Sequence, residues 1–310
     1  MSGESPPAGD HSAPDTPRVA GYTLVKRIGR GRYGEVWLAR GIAGKWCAVK
    51  IVFRDRFDEE RSFHREFDGL REYEGLTAAH PGLLRVLHAD RAEDDTYYYY
   101  VMELADGLAR PDPDPNAYQP RTLASRLAQS GRLPPAECAA IGADVAAALS
   151  HLHRNGKVHR DIKPANIIFV EGRPKLADIG LVSNASRCES FVGTEGYVPR
   201  EGPGSPSADL FALGKVLYEA ATGRDRLDFP ELPEDFRGSA DRAFQRLNVV
   251  LARACHPDAA RRYATAGEME SDLRAVAAAG ALPSRKHRGY RRMVAGATVI
   301  MAVAAIAPAL

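Results

Sequence analysis

The stretch His159-Arg160-Asp161-Ile162-Lys163-Pro164-Ala165-Asn166 constrains this chain more than any other. An Asp, a Lys two places later and an Asn five places later put a base, a cation and a metal ligand into one tight loop. That combination suits transfer of a phosphoryl group from Mg-ATP to a hydroxyl. A lone His-Arg-Asp occurs in any loop, so the remainder of the chain has to supply the other parts.

The bulk properties leave room for them. With 310 residues the chain can build one large domain or two lobes around a real core. It is 45% hydrophobic and 26% charged, ordinary for a globular protein, and its formal charge of +2 gives no support to a nucleic-acid partner. Cys47, Cys138, Cys188 and Cys255 lie far apart and form no CxxC pair. They read as reduced buried thiols rather than zinc or redox ligands. Residues 1–20 begin with a stretch rich in Pro, Ser, Gly and Asp that has no apolar run, a disordered leader rather than a signal peptide.

Hydrophobic periodicity divides the chain. Tyr22–Ile28, Val36–Ala39, Trp46–Val52, Leu83–His88 and Thr96–Leu104 read as strands, and Arg56–Tyr73 as an amphipathic helix. The aromatic run Tyr97–Tyr100 fits a half-buried strand better than a partner surface. Ala105–Pro120 carries Pro111, Pro113, Pro115 and Pro120 and reads as a loop. Beyond it the period changes. Leu123–Ala128, Pro135–Asn155, Ser207–Thr222, Ser239–Ala254 and Ala266–Ala279 read as helices, and Ile167–Val170 with Pro174–Ala177 as a hairpin closed at Glu171-Gly172.

Ile28-Gly29-Arg30-Gly31-Arg32-Tyr33-Gly34-Glu35-Val36 contains GxGxxG. The same pattern marks dinucleotide folds, but there the loop opens a helix, whereas here a second strand follows. Glycines in such a turn let backbone N–H groups approach phosphates.

Taken together these motifs resemble the Hanks-type (eukaryotic-like) serine/threonine protein kinases, in the style of bacterial members, over about Tyr22 to Ala279. The resemblance implies an α+β, bilobal protein-kinase fold. Residues 21–104 would form a small β-rich N-lobe and residues 105–280 a larger helical C-lobe. It also implies roles. Gly29, Gly31 and Gly34 would cover the ATP phosphates. Lys50, in Ala48-Val49-Lys50, would pair with the α- and β-phosphates and be held by Glu66, with Glu59, Glu60 and Glu72 as rivals. Met102 would be the gatekeeper, the backbones of Glu103 and Ala105 would bond the adenine edge, and Ile28, Val36, Ala48 and Ile168 would sandwich the ring. Asp161 would be the base, Lys163 would neutralise the transferring phosphoryl, and Asn166 with Asp178 would hold Mg²⁺, with Mn²⁺ as the alternative ion. His159 and Arg160 would be structural, Arg160 being available to a phosphorylated activation segment.

Two departures bear on switching. Asp178-Ile179-Gly180 replaces the family's Asp-Phe-Gly, and Pro199-Arg200-Glu201 replaces its Ala-Pro-Glu. They are the support for the alternative reading, a pseudokinase scaffold that binds without phosphotransfer. Glu201 is expected to pair with Arg262, or with its rival Arg261. Thr194 is expected to contact Asp161 and Lys163, and Asp209 to anchor the catalytic loop. Ser183, Ser186, Ser190 and Thr194 are candidate phosphorylation sites, with a homodimer acting in trans.

The tail adds a membrane expectation. Arg285, Lys286, Arg288, Arg291 and Arg292, in the basic segment 281–292, precede the uncharged run Met293–Leu310. As a helix that run would reach about 27 Å, close to the ~30 Å of a bilayer core. The basic flank would leave the kinase on the cytoplasmic side as a single-pass, tail-anchored protein if the chain is full length.

Overall fold

The structure, a computed structural model, describes residues 17–108, 114–178, 183–184, 193–236 and 241–280. They group into two compact units.

The first unit takes the described residues of 17–79, 84–121 and 170–172. Its centre is an antiparallel sheet of β1 (Tyr22–Arg30), β2 (Gly34–Gly41), β3 (Trp46–Phe53), β4 (Val86–Arg91) and β5 (Tyr97–Met102), in the order β1-β2-β3-β5-β4. Alternation sends side chains to opposite faces. On one face Cys47, Val49, Ile51, Tyr99 and Val101 pack with Ala39 and Val19. On the other, Tyr98 meets Phe63 and Phe67 of α1 (Glu60–Ala78), with ring centroids 5.1 and 5.3 Å apart. Tyr98, Tyr99 and Tyr100 are almost fully buried, so the tyrosine run is strand core.

Several boundaries differ from expectation, among them the end of α1, which runs on to Ala78 instead of stopping at Tyr73. α1 starts at Glu60, not at Arg56, because Phe57 leaves helical geometry to stack on Tyr33 at 4.6 Å. Residues Arg54–Arg56 form a separate 3₁₀ turn. β4 starts at Val86 because Leu83 is held in a turn by its N–H to the His80 carbonyl. The first unit extends to Arg121.

The second unit takes the described residues of 80–83, 122–169 and 173–280. It holds α2 (Leu123–Ser130), α3 (Pro135–Arg154), α4 (Pro206–Thr222), α5 (Arg242–Ala254) and α6 (Ala266–Gly280). Thr122 and Ser125 form a capping box on α2, Ser205 caps α4 and Asp241 caps α5. α3 and α4 approach closely at Gly142, where a Cβ would lie 2.7 Å from Leu217. Two short ribbons follow, β6 (Lys157–Val158) with β9 (Ser183–Asn184), and β7 (Ile167–Val170) with β8 (Arg173–Leu176), whose residues 170–172 are grouped with the first unit. At the β7–β8 turn Glu171 and Gly172 both have positive φ, the geometry that joins a tight hairpin.

Ile179, Gly180, Ser186, Cys188, Ser190, the Ser239 helix start and residues 281–310 lie outside the described residues. Among the described residues no helix is long and apolar enough to cross a membrane. Cys47, Cys138 and Cys255 are free and buried, and burial pushes their thiols up to about 11, about 12 and about 12.

Candidate active site

In the first unit the sheet register aligns the phosphate-handling candidates. Gly29 pairs with Val36, Val36 with Lys50, and Lys50 with Tyr100. The next row joins Leu38, Ala48 and Met102. Lys50 is half-buried, with Nζ 5.9 Å from the centre of the Tyr100 ring.

The three glycines are not equivalent. A Cβ on Gly34 would sit 2.1 Å from the Ile51 carbonyl oxygen, so strand pairing itself demands glycine there. A Cβ on Gly31 would meet only the Gly34 oxygen at 3.9 Å, and one on Gly29 would touch Val36 at 3.5 Å. Packing does not require glycine at those two positions. The open space over Gly31 fits a turn kept clear for an outside group such as phosphate.

Glu66 lies on α1 and accepts a hydrogen bond from the Tyr98 hydroxyl at 3.1 Å. Tyr98 pairs with Val52, so this contact is one face step along β3 from Lys50. Glu60 is bound to Arg54 at 2.5 Å, and Glu59 precedes the helix as its N-cap. After β5, Glu103 is tied to Arg85, donating its N–H to the Arg85 carbonyl at 3.2 Å and accepting the Arg85 N–H at 2.8 Å. The Ala105 carbonyl accepts from Tyr118 at 2.9 Å. Ile28 and Val36 are half-buried, and Ala48 and Met102 buried, in this unit, whereas Ile168 is half-buried on β7 of the other.

The second unit assembles the catalytic-loop candidates. Asp209, in the first turn of α4, accepts the N–H groups of His159 and Arg160, each at 2.9 Å, and is bonded to His153 Nε2 at 2.9 Å. Two loop amides are thereby fixed by one buried carboxylate, which leaves Arg160 at φ 72°. His159 Nε2 bonds the Ala177 carbonyl at 3.0 Å, and the Ala177 N–H donates to Asn166 at 2.8 Å, tying the loop to the end of β8.

On this frame Asp161 is buried and addressed from three sides. Lys163 Nζ lies 2.7 Å from Oδ2, Thr194 donates to Oδ1 at 2.8 Å, and Asn166 Nδ2 donates to Oδ2 at 2.9 Å. Lys163 also donates to Thr194 at 3.1 Å, closing a triangle of base, cation and hydroxyl. Asp178 follows β8 with φ 60°, a conformation a non-glycine residue holds only at a cost.

Asn166 uses its amide nitrogen on Asp161, which assigns Oδ1 as its remaining acceptor. With the Asp178 carboxylate this is a hard oxygen pair, the kind of partial set that binds Mg²⁺ together with substrate phosphates. Among the described residues no group of three or more His, Cys, Asp or Glu could hold a metal alone.

Beyond the loop, the buried Arg262 guanidinium pairs with Glu201 and donates to the carbonyls of His256 at 2.7 Å and Pro257 at 3.3 Å. Burial is the largest influence on the Glu201 carboxyl and raises it, but the Arg262 hydrogen bond, a backbone hydrogen bond and the Arg262 charge together hold it below its ordinary value. Arg226 donates to the Glu195 carbonyl at 2.8 Å and lies 4.9 Å over the Tyr197 ring, whose hydroxyl bonds Glu219.

His153, Tyr118 and Arg226 were not anticipated from the sequence. Each acts on a backbone group or a buried carboxylate brought near by folding, and none belongs to a motif with fixed spacing.

A family model described as "Protein kinase domain" matches residues 22–264. The chain is 31% identical to serine/threonine-protein kinase PrkC of Bacillus subtilis over 83% of its length and 41% of the relative's. It is 33% identical to serine/threonine-protein kinase PkaA of Streptomyces coelicolor over 66% of this chain and 39% of the relative. For serine/threonine-protein kinase PknB of Mycobacterium leprae the identity is 30%, over 81% and 42%. The chain thus spans about two fifths of the length of these curated relatives.

Proposed function

Because this chain belongs to the protein kinase family, we propose that it transfers the γ-phosphoryl group of Mg-ATP to serine or threonine hydroxyls of protein substrates. The observation that carries this is the triangle of Asp161, Lys163 and Thr194. An aliphatic hydroxyl already sits between the carboxylate and the ammonium, at distances suited to proton transfer and charge neutralisation.

In the reaction Asp161 orients the substrate hydroxyl and takes its proton as the oxygen bonds to the γ-phosphorus. The bond to the bridging oxygen breaks and ADP leaves. Lys163 offsets negative charge on the transferring group. Asn166 Oδ1 and Asp178 are the residues that would hold Mg²⁺, whose part is to neutralise phosphate charge. Lys50 would bind the α- and β-phosphates and the Gly29–Gly34 turn would cover them.

Labelled ATP tests this. Wild-type protein should label itself or a protein acceptor at serine or threonine. Asp161→Ala and Asp178→Ala should lose about 10²- to 10⁴-fold in rate. Transfer that survives both changes would overturn the assignment, and a wild type that binds nucleotide without transfer would favour the scaffold.

For location, the basic stretch Arg285–Arg292 before the uncharged run Met293–Leu310 supports a membrane-anchored kinase with its domain on the cytoplasmic side. Full-length protein should then need detergent for extraction, and recovery in the soluble fraction would count against anchoring. Phosphorylation of Thr194 or its neighbours by a second copy follows as a testable extension, read by mixing active chains with Asp161→Ala chains.

A further inference from the structure

The kinase motifs do not use the segment after Ala105, yet it is built with care. The Arg121 N–H donates to the Asp106 carbonyl at 2.7 Å, Gly107 and Pro120 form a bridge, and the Leu108 N–H donates to Gln119 at 3.1 Å. Residues 106–108 and 119–121 therefore lie side by side. Lys26 of β1 clips the returning arm, donating from Nζ to the carbonyls of Asn116 at 2.8 Å and Tyr118 at 3.2 Å. The Asp106 carboxylate accepts the N–H groups of Glu171 and Gly172, each at 2.8 Å.

These contacts bring one side chain back onto the segment that follows β5. Tyr118 is 4% exposed and its hydroxyl donates to the Ala105 carbonyl at 2.9 Å. Among the described residues no partner meets the Ala105 N–H. The residue's acceptor is thus already engaged by the protein and its donor is left to present.

We propose that Tyr118 is a specificity-determining residue for the nucleotide, occupying one lone pair of the Ala105 carbonyl so that Ala105 offers a purine its N–H as the stronger partner and its carbonyl as a weakened one. The inference rests on the kinase reading, in which Ala105 faces the base. An N–H alone matches adenine, whose N1 is an acceptor. It opposes guanine, whose N1–H is a donor. With the tyrosine hydroxyl removed, a buried carbonyl needs a new donor, and the N1–H and N2 amine of guanine supply one. Tyr118 acts through the Ala105 carbonyl and has no part in the transfer step.

The test measures binding of the Mg²⁺ complexes of ATP and GTP by calorimetry, together with KM and kcat for each. Tyr118→Phe keeps the ring packing and removes only the hydroxyl. It should reduce the preference for ATP over GTP by about five- to tenfold, the worth of one hydrogen bond, with kcat at saturating ATP unchanged. Lys26→Met, which releases the arm from its exposed side, should shift the preference in the same direction by a smaller factor. An unchanged ATP-to-GTP ratio in both folded variants overturns the inference and leaves the kinase reading standing. A wild type that binds neither nucleotide removes the kinase reading and the inference with it.

Discussion

Asn166 donates one amide nitrogen to both the backbone carbonyl of Asp161, at 2.8 Å, and its carboxylate, at 2.9 Å. One side chain thus closes the loop and aims the base. The same two bonds decide which way its own amide points, because Nδ2 is spent on Asp161 and Oδ1 remains as acceptor. Asn166→Ala should weaken the apparent affinity for Mg²⁺ by about 10- to 100-fold. Titration of Mg²⁺ at fixed saturating ATP measures it. A variant whose activity falls with no change in Mg²⁺ dependence would confine Asn166 to shaping the loop.

Thr194 is placed by a different element, the segment that runs toward Glu201, yet it completes the Asp161 and Lys163 triangle. Its hydroxyl makes two hydrogen bonds to charged groups, each worth about 1.5–3 kcal/mol at most. Thr194→Ala should lower kcat/KM for a protein acceptor by about 10- to 100-fold. Thr194→Ser, which keeps the oxygen, should restore most of it. Equal loss in both variants would mean that the methyl packing, not the hydroxyl, matters there.

The glycine turn separates folding from function. At Gly34 a methyl group would collide with the Ile51 carbonyl of β3, while at Gly31 it would enter open space. Gly34→Ala should therefore lower the melting temperature by several degrees, and Gly31→Ala should leave it unchanged while raising KM for ATP. A ~1–3 kcal/mol loss from a forced strand shift is the scale expected at Gly34. Thermal melts and ATP titrations of the two variants read the two effects independently. A destabilised Gly31→Ala protein would show that the turn is constrained by packing that the Cβ position does not reveal.

What the sequence made legible was local. Five strands and the helical half follow from periodicity, and the helix limits at Pro135 and Thr222 coincide with a first-turn proline and with Gly223. The loop at His159 was legible because its residues are contiguous. The pairing of Glu201 with Arg262 spans 61 positions, and family resemblance supplied it where spacing could not. The start of α1 was not legible, since Phe57 sits in helical phase and its stacking partner Tyr33 is distant in sequence. Nor was the Asp209 cluster complete. His153 gives no signal in a helix already rich in histidine, and its role exists only once α3 and α4 are packed. Glu66 could not be singled out among the glutamates of its segment by spacing; in the fold it accepts from the Tyr98 hydroxyl, one face step along β3 from Lys50.

The Glu201 and Arg262 pair makes a prediction about acid stability. Arg262 is buried and always charged, and three carbonyl or carboxylate partners surround its guanidinium. Burial raises the Glu201 carboxyl, but the Arg262 hydrogen bond and charge, with a backbone hydrogen bond, together bring it below its ordinary value of 4.5 in the folded protein. A depressed carboxyl contributes stability that is present above the unfolded value and is lost as pH falls through the folded one. Wild type should therefore lose stability between pH 4.5 and more acid values. Glu201→Gln should be less stable at neutral pH by about 1–2 kcal/mol, a figure reduced from that of a buried pair because solvent reaches Glu201. It should also show a flatter decline on acidification, so the two stability curves converge as pH falls below 4.5 and through the folded value of Glu201. Denaturant melts at a series of pH values give both curves. Parallel curves, offset by a constant amount, would show that the glutamine costs packing and that the charge of Glu201 does not stabilise this part of the fold.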